Sequence, residues 1–266
     1  MEIFASCMEC MQTKGMPLLK PFPAPYFDDR ISIVDCDFGH KMAIVLRAQK
    51  FELLLESGAN ALIAGFTLEA SASFSAALER FFEFSNKVVL THLEIGEALY
   101  DDVFKFMSRQ SERQTGAFLI LHALVFNFAY IPNTKLTEFR NAVIHKGTIP
   151  TPDKAMEFCE LVYAEVFNIS SLLNKHCPDA INLILERDFE SRASTVPEGI
   201  RIHSAQKSSI FSISHENNKE DFAKALENYE KFNATLRHVS KEVPKILEAL
   251  QANPEASALI DSIRPK

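Results

Sequence analysis

The chain has 266 residues, of which 47% are apolar and 24% are charged, and its formal net charge is −7. This composition is typical of a globular protein with a sizeable core, and it excludes a disordered or fibrous chain. The negative net charge excludes a protein that binds nucleic acid through its overall electrostatic field. Any RNA contact must therefore use a local basic patch.

The cysteines and the longest apolar run predict a cytoplasmic protein. The five cysteines are an odd number, and the first residues carry no basic segment followed by an apolar one, as a signal peptide would. We therefore expect a reducing compartment, in which thiols stay free or bind metal. The apolar run at 116–131 contains His122 and Asn127 and is too short to cross a bilayer comfortably. We predict that it forms a buried core helix and that the protein has no membrane role.

Two pairs of candidate metal ligands lie near the N-terminus. Cys7 and Cys10 form a C-x2-C pair, and Cys36 and His40 form a C-x3-H pair flanked by two short runs typical of strands. Ligand pairs on adjacent turns of a small β element are how a zinc ribbon presents four tetrahedral ligands, and such a closed site is structural. We predict a structural zinc ion here. The alternative is reduced thiols that lie close to one another, with His40 in a surface turn.

Hydrophobic periodicity and turn residues predict a mainly α protein. We expect three parts: a zinc-ribbon-like segment at 1–48, an antiparallel helical bundle at 49–190, and a C-terminal extension at 191–266. The predicted helices of the bundle cover 51–63, 67–87, 94–107, 111–130, 136–146 and 152–174. The elements predicted for the extension are a short hairpin of 200–203 with 210–213, and amphipathic helices at 219–238 and 243–250.

The segment 135–153 concentrates the polar residues that suggest chemistry. The spacing of Leu136, Phe139 and Val143 predicts that these three side chains pack against the bundle. Thr151 as N-cap and Pro152 at the first helical position start the next helix at once. The turn between the two helices is therefore expected to be rigid.

A second stripe of the same predicted helix carries Glu138, Asn141 and His145, with Arg140 about 100° from Asn141 around the axis. An arginine can bind phosphate oxygens with two N–H groups, and a histidine can transfer a proton near neutral pH. Together they suffice for metal-free RNA cleavage, in which the 2′-hydroxyl attacks the adjacent phosphate. The sequence contains no cluster of carboxylates that would indicate a catalytic metal site. The alternative is that Arg140 pairs with Glu138 or another carboxylate, and that His145 caps its own helix.

The sequence at 140–147, RNAVIHKG, resembles the R-x4-6-H motif of HEPN domains, in a helical context and followed by a proline and a further helix. The polar residue after the arginine, Asn141, agrees with the commonest form of that motif. The segment 71–84 also resembles the upstream helix of bacterial HEPN proteins. The resemblance extends over about 50–175.

The resemblance implies a helical bundle that dimerises and places two such motifs across one cleft. It implies that Arg140 and His145 are catalytic, with Asn141 orienting the histidine or contacting phosphate, and with Glu138 and Lys146 in support. Some toxins of the family are silenced by adenylylation of a tyrosine two residues after the histidine. That position is Gly147 here, so this form of silencing is not expected. The basic residues expected to flank the cleft are Arg109, Arg113, Lys135 and Lys146.

Three functions follow as hypotheses. The first is a homodimeric, metal-independent endoribonuclease that acts on RNA as a toxin or antiphage effector, with an antitoxin or regulatory protein as a possible partner. The second is an inactive HEPN scaffold that binds nucleic acid or a protein, with the zinc-ribbon-like segment as the recognition element. The third is a purely structural helical adaptor.

Overall fold

The computed structural model describes residues 2–14, 19–23, 28–36, 38–108, 110–205, 210–214 and 221–252. Over these residues the protein is mainly α-helical, with a small three-stranded sheet near the N-terminus, as the sequence predicts. The described residues divide into two compact units. The sheet unit is drawn from 1–47, 188–207 and 228–266, and the helical unit from 48–187 and 208–227.

Among its described residues, the sheet unit contains five strands in two sheets. Its elements are β1 (Glu2–Ser6), α1 (Met8–Lys14), β2 (Leu19–Pro23), β3 (Ile31–Asp35), β4 (Lys41–Leu46) and β5 (Arg201–Ala205). Strands β1 and β2 form an antiparallel pair, and the second sheet has the order β3-β4-β5. Strand β4 lies in the centre and pairs antiparallel with β3 and parallel with β5. Its residues 42–46 are all apolar and all buried, as a central strand requires.

The hairpin predicted between 200–203 and 210–213 is wrong. Strand β5 pairs with β4 instead, and 210–213 form no strand. Ile210 and Ile213 are buried in the helical unit, where the Ile213 N–H donates to the Glu52 carboxylate at 2.8 Å. A short apolar run does not distinguish a strand from a buried loop, which explains the error. The turn predicted at 206–208 lies outside the described residues.

The helices that follow the sheet residues have clear local signals. They are α2 (Lys50–Ile63), α3 (Thr67–His92), α4 (Glu97–Phe104), α5 (Ser111–Phe126), α6 (Thr134–Arg140), α7 (Pro152–His176), α8 (Pro178–Ala193) and α9 (Phe222–Ala252). Gly65, with a φ of +80°, follows the end of α2, and Thr151 precedes Pro152 at the start of α7, both as predicted. Helix α9 is continuous, although the sequence predicts two helices there.

Helix α3 is the centre of the helical unit and packs against α2, α5 and α7. Its Phe81 ring meets Phe51 edge to face at 5.0 Å, and its Phe82 ring lies 5.1 Å from Phe118 of α5. The abundant phenylalanines thus form an interlocking aromatic core.

Helix α5 differs from its prediction. The sequence predicts a buried core helix, but only one face of α5 is buried, with Phe118 and His122 on it. Ile120 and Leu124 on the opposite face are 72% and 66% exposed. The helix is apolar on both faces, and the described part of the chain covers only one of them. No helix in the described part of the chain is long and apolar enough to cross a membrane.

Gly58 of α2 lies in close contact with α3, and it gives a test of the core. A Cβ atom at Gly58 would lie 2.7 Å from Cε2 of Phe74, whose ring is fully buried. We expect Gly58→Ala to lower the free energy of unfolding by about 1–3 kcal/mol through overpacking. Gly116→Ala in α5 is the matched control, because nothing lies within 4 Å of its Cβ position. The control should be neutral or stabilising by about 0.5–1 kcal/mol. Urea unfolding measures both, and equal stabilities would contradict the packing described here.

Candidate functional site

The two ligand pairs of the sheet unit come together, as the sequence predicts. Cys7 immediately precedes α1, and Cys10 lies in that helix's first turn, where its backbone N–H points to the Cys7 sulfur at 3.5 Å. Cys36 immediately follows β3, and His40 immediately precedes β4. A tight turn joins this second pair, closed by the hydrogen bond from Cys36 N–H to His40 carbonyl at 3.0 Å and allowed by Gly39 at a φ of +78°.

The four side chains lie close together. Their ligand atoms all lie within 4.8 Å of one another. The Cys10 and Cys36 sulfurs are 3.6 Å apart, and Nδ1 of His40 lies 3.2 Å from Cys10 and 3.5 Å from Cys36. Metal–sulfur bonds of about 2.3 Å and metal–nitrogen bonds of about 2.0 Å put tetrahedral ligands about 3.5–3.8 Å apart. Cys7, Cys10, Cys36 and His40 could therefore bind a metal ion.

Without metal, the thiols of this cluster differ in acidity. Burial, helped by the neighbouring thiols of Cys36 and Cys7, raises the pKa of Cys10 to about 12. Burial would also raise the pKa of Cys36, but hydrogen bonds from the backbone of Phe38 and His40 and from the other thiols lower it overall. A bound metal ion would remove this difference, because it deprotonates the thiols that coordinate it.

The second candidate site lies in the helical unit, where α6 ends. Asn133 caps α6 by accepting a hydrogen bond from the backbone N–H of Lys135 at 3.1 Å. Leu136 and Val143 are buried, and the Phe139 ring stacks on Phe158 of α7 at 4.3 Å. The apolar stripe predicted from the sequence is therefore confirmed.

The chain changes from α-helix to a single π-helical turn at Asn141–His145. The Lys146 N–H reaches back five residues to the Asn141 carbonyl at 3.3 Å, and Gly147, with a φ of +67°, lets the chain leave the turn. Such π turns are often found at functional sites. The sequence gives no signal of this change, because the apolar spacing is compatible with a continuous α-helix.

Arg140 makes an ion pair with Glu79 of α3, and its Nη2 also donates to the Ser111 hydroxyl at 3.3 Å. The pairing that the sequence left open therefore involves a carboxylate 61 positions away and not Glu138. In the part of the chain that the structure describes, Nη1 and Nε of Arg140 have no hydrogen-bond partner.

The remaining predicted site residues lie on or near the surface. His145 and Lys146 are exposed at the end of the π turn, Glu138 is exposed on α6, and Asn141 is half-buried. Among the described residues, no side-chain hydrogen bond joins Arg140, Asn141 and His145. Their catalytic roles, and those of Glu138 and Lys146, stay predictions.

Of the predicted flanking cations, Lys135 and Lys146 are exposed. Arg113 is exposed too, and it donates to the Phe106 carbonyl at 2.9 Å. Arg109 lies outside the described residues.

Arg140 forms part of the wall of a cleft of about 280 Å³ between α3, α5, α6 and α7. The lining is mostly apolar, from side chains such as Leu78, Phe82 and Leu119, and polar groups of Glu79, Ser111 and Arg140 lie among them. Sequence reasoning missed this cleft. Its one signal in the sequence is a charged pair, Glu79-Arg80, inside an apolar helix, for which contacts with neighbouring residues are the simplest explanation. Such contacts are indeed present, since Arg80 pairs with Glu83 and Glu79 pairs with Arg140.

Tyr130 forms another part of the cleft wall, and contacts with neighbouring side chains hold it in place. Its hydroxyl donates to the carboxylate of Glu165 on α7, and its ring packs edge-on against Phe82 and Phe118. Burial raises the pKa of Tyr130 and of Glu165, and the neighbouring carboxylate raises the tyrosine value further. The Tyr130 ring is therefore held in one orientation on the cleft side.

Comparisons of the chain with protein-family models, with curated proteins and with solved structures find no match.

The pair of Arg140 with Glu79 can be measured by a double-mutant cycle of Arg140→Ala and Glu79→Ala. Because each side chain keeps about a quarter of its surface exposed, we expect a coupling energy of about 1 kcal/mol in urea unfolding. A cycle of Arg140→Ala with Glu138→Ala is the control and should give a coupling near zero. A larger coupling in the Glu138 cycle would contradict the assigned partner.

Proposed function

We propose that the chain is a metal-independent endoribonuclease of HEPN type that acts as a toxin or antiphage effector. The observation that carries the proposal is the presentation of Arg140 beside a cleft. Glu79 and Ser111 hold its guanidinium through one nitrogen, while Nη1 and Nε have no partner among the described residues. The exposed His145 ends the π turn that starts after Arg140. A positioned cation and an exposed imidazole on one short segment are the groups that this reaction requires.

The proposed reaction is an internal transesterification. The 2′-hydroxyl oxygen attacks the adjacent phosphorus while His145 accepts its proton, and Arg140 stabilises the additional negative charge on the phosphoryl oxygens. The bond from phosphorus to the 5′-oxygen breaks, and a general acid protonates that oxygen. The products are a 2′,3′-cyclic phosphate and a 5′-hydroxyl, so neither water nor a redox partner is consumed.

One chain offers a single His145, so the general acid is proposed to come from a second copy. The exposed apolar face of α5, with Ile120 and Leu124, supports an association of this kind, since a helix that is apolar on both faces is usually covered on both. A homodimer would place two copies of Arg140 and His145 along one RNA strand. Each copy would then contribute half of the site.

Exposed cations on the segments around the cleft support RNA binding. The exposed cations Arg113, Lys135 and Lys146 are proposed to contact phosphates, against the net charge of −7 of the whole chain. We therefore propose a single-stranded RNA substrate that is contacted at a few phosphates rather than along an extended basic surface.

The nuclease proposal is tested with Arg140→Ala and His145→Ala in the full chain. We expect each variant to lower the rate of RNA cleavage by at least about a hundredfold, and to relieve toxicity on expression. Arg80→Ala is a matched control, because Arg80 also pairs with a carboxylate and has a similar exposure. His92→Ala, which removes another exposed histidine, is the second control. Equal growth and the absence of RNA cleavage in all strains would refute the proposal.

An inactive HEPN scaffold is the second candidate, and the pair of Arg140 with Glu79 favours it. That pair partly neutralises the guanidinium, and no side-chain hydrogen bond among the described residues joins Arg140 to His145. A scaffold of this kind would bind single-stranded RNA or a protein without cutting RNA. RNA binding that persists without cleavage in both wild type and His145→Ala would identify it, and absence of RNA binding would leave a protein-binding or structural adaptor.

For the Cys/His cluster, we propose a structural zinc ion held by Cys7, Cys10, Cys36 and His40. Three thiolates and one imidazole form a donor set that zinc prefers, and four protein ligands leave no open position for substrate. The elements around the site are short, so metal binding would contribute much of their stability. The proposed role is to hold α1 and the turn before β4 together.

Metal analysis of the purified full chain tests the zinc proposal. We expect about one zinc ion per chain, lost in Cys10→Ser and Cys36→Ser and released as pH falls, because protons compete for the thiolates. Cys159→Ser is the control, since that thiol is buried in α7 away from the cluster. Sub-stoichiometric zinc in wild type, or equal loss in the control, would contradict the proposal.

A further inference from the structure

We propose that the cleft beside Arg140 is a subsite for one nucleobase of the RNA strand. The inference rests on the proposed function, because Arg140 is shared between the cleft wall and the reacting phosphate. The cleft is bounded by α3, α5, α6 and α7 together with Tyr130 and Pro132 from the segment before α6. A base that enters it would have its own phosphate near Arg140.

Gly116 is the first observation that indicates a ligand. It lies in the middle of α5 and lines the cleft. Glycine inside a helix costs roughly 0.5–1 kcal/mol relative to alanine, so it usually relieves a steric or a backbone conflict. Neither conflict is present here, since nothing lies within 4 Å of a Cβ atom at this position and its φ is not in the left-handed region. What the glycine does provide is open space in the cleft wall.

The chemistry of the lining is the second observation. Phe82, Tyr130 and Phe158 supply aromatic surface, while Arg140 and Glu79 supply polar groups. A nucleobase has apolar faces and an edge of donors and acceptors. The aromatic groups suit the faces, Glu79 can accept a hydrogen bond from a base N–H, and an N–H of Arg140 can donate to a ring nitrogen or carbonyl.

The size of the cleft restricts the ligand to one ring system. A volume of about 280 Å³ is just below the roughly 300–1,000 Å³ typical of ligand pockets. The cleft is open on one side, so the sugar and phosphate can stay in solvent while the base is inserted. Double-stranded RNA would not fit this arrangement, because its bases are stacked and paired.

The test uses Gly116→Leu, which fills the cleft from its wall and leaves the residues Arg140 and His145 unchanged. Gly96→Leu is the matched control, because Gly96 also has no atom within 4 Å of its Cβ position and does not line the cleft. Both changes are made in the His145→Ala chain, so that RNA is bound but not cut. Circular dichroism and thermal unfolding establish that both variants fold.

The probe is a short, fluorescently labelled single-stranded RNA carrying all four bases, and fluorescence anisotropy measures its binding. We expect Gly116→Leu to weaken binding roughly tenfold or more, the size typical for loss of one stacked base, and Gly96→Leu to leave it unchanged. An abasic substitution scanned along the probe should reveal one sensitive position, and Gly116→Leu should abolish that sensitivity.

The outcomes of this experiment distinguish the proposed nucleobase subsite from the proposed nuclease activity. Equal binding by a folded Gly116→Leu variant and its control overturns the subsite, even if wild type cuts RNA. Binding that depends on Gly116 in a protein that never cuts RNA supports the subsite and overturns the nuclease. Absence of RNA binding by the His145→Ala chain and by wild type overturns both.

Discussion

The ion pair of Arg140 with Glu79 is the contact on which the candidate site of the helical unit depends. It joins the end of α6 to α3 and thereby fixes two walls of the cleft relative to each other. An arginine is always protonated and carries five N–H donors in a planar fork, so one carboxylate and one hydroxyl do not use all of them. The side chain that connects the helices can therefore also receive an anion. A lysine at this position would offer one nitrogen and could not do both in the same geometry.

The strength of the ion pair between Arg140 and Glu79 determines how strongly Glu79 competes with phosphate for the guanidinium. The two side chains are 23% and 27% exposed, and pairs of such exposure contribute on the order of 1 kcal/mol. Hydrogen bonds from a guanidinium to phosphate are charge-assisted and at least comparable in strength. A phosphate can therefore bind at Nη1 and Nε without displacing Glu79. The carboxylate still lowers the local positive potential, so single phosphates would be held weakly and several contacts along a strand would be needed.

Features that depend on local sequence signals could be predicted from the sequence. Features that depend on contacts between distant residues could not. The pattern around Pro152 located a helix start, the glycine at 65 located a helix end, and the two ligand pairs were found because their spacing is short. Arg140 and Glu79 are 61 positions apart, so no periodicity connects them. Strand β5 joins β4 across an even longer separation, and its parallel pairing has no turn signal to mark it. The cleft was missed for the same reason, because its walls come from four helices.

Helix α5 connects the cleft to the proposed association. It gives Ser111 and Gly116 to the cleft, and it exposes Ile120 and Leu124, which follow Gly116 at intervals of four residues. Burying two such side chains is worth about 1.5–3 kcal/mol each, whereas leaving them in water brings a risk of non-specific association. A second copy that covered this face would remove the risk and would rigidify the helix that carries the cleft wall. The cleft and the association would then be coupled, because any ligand that fits only the rigid form of α5 must bind the associated form more tightly.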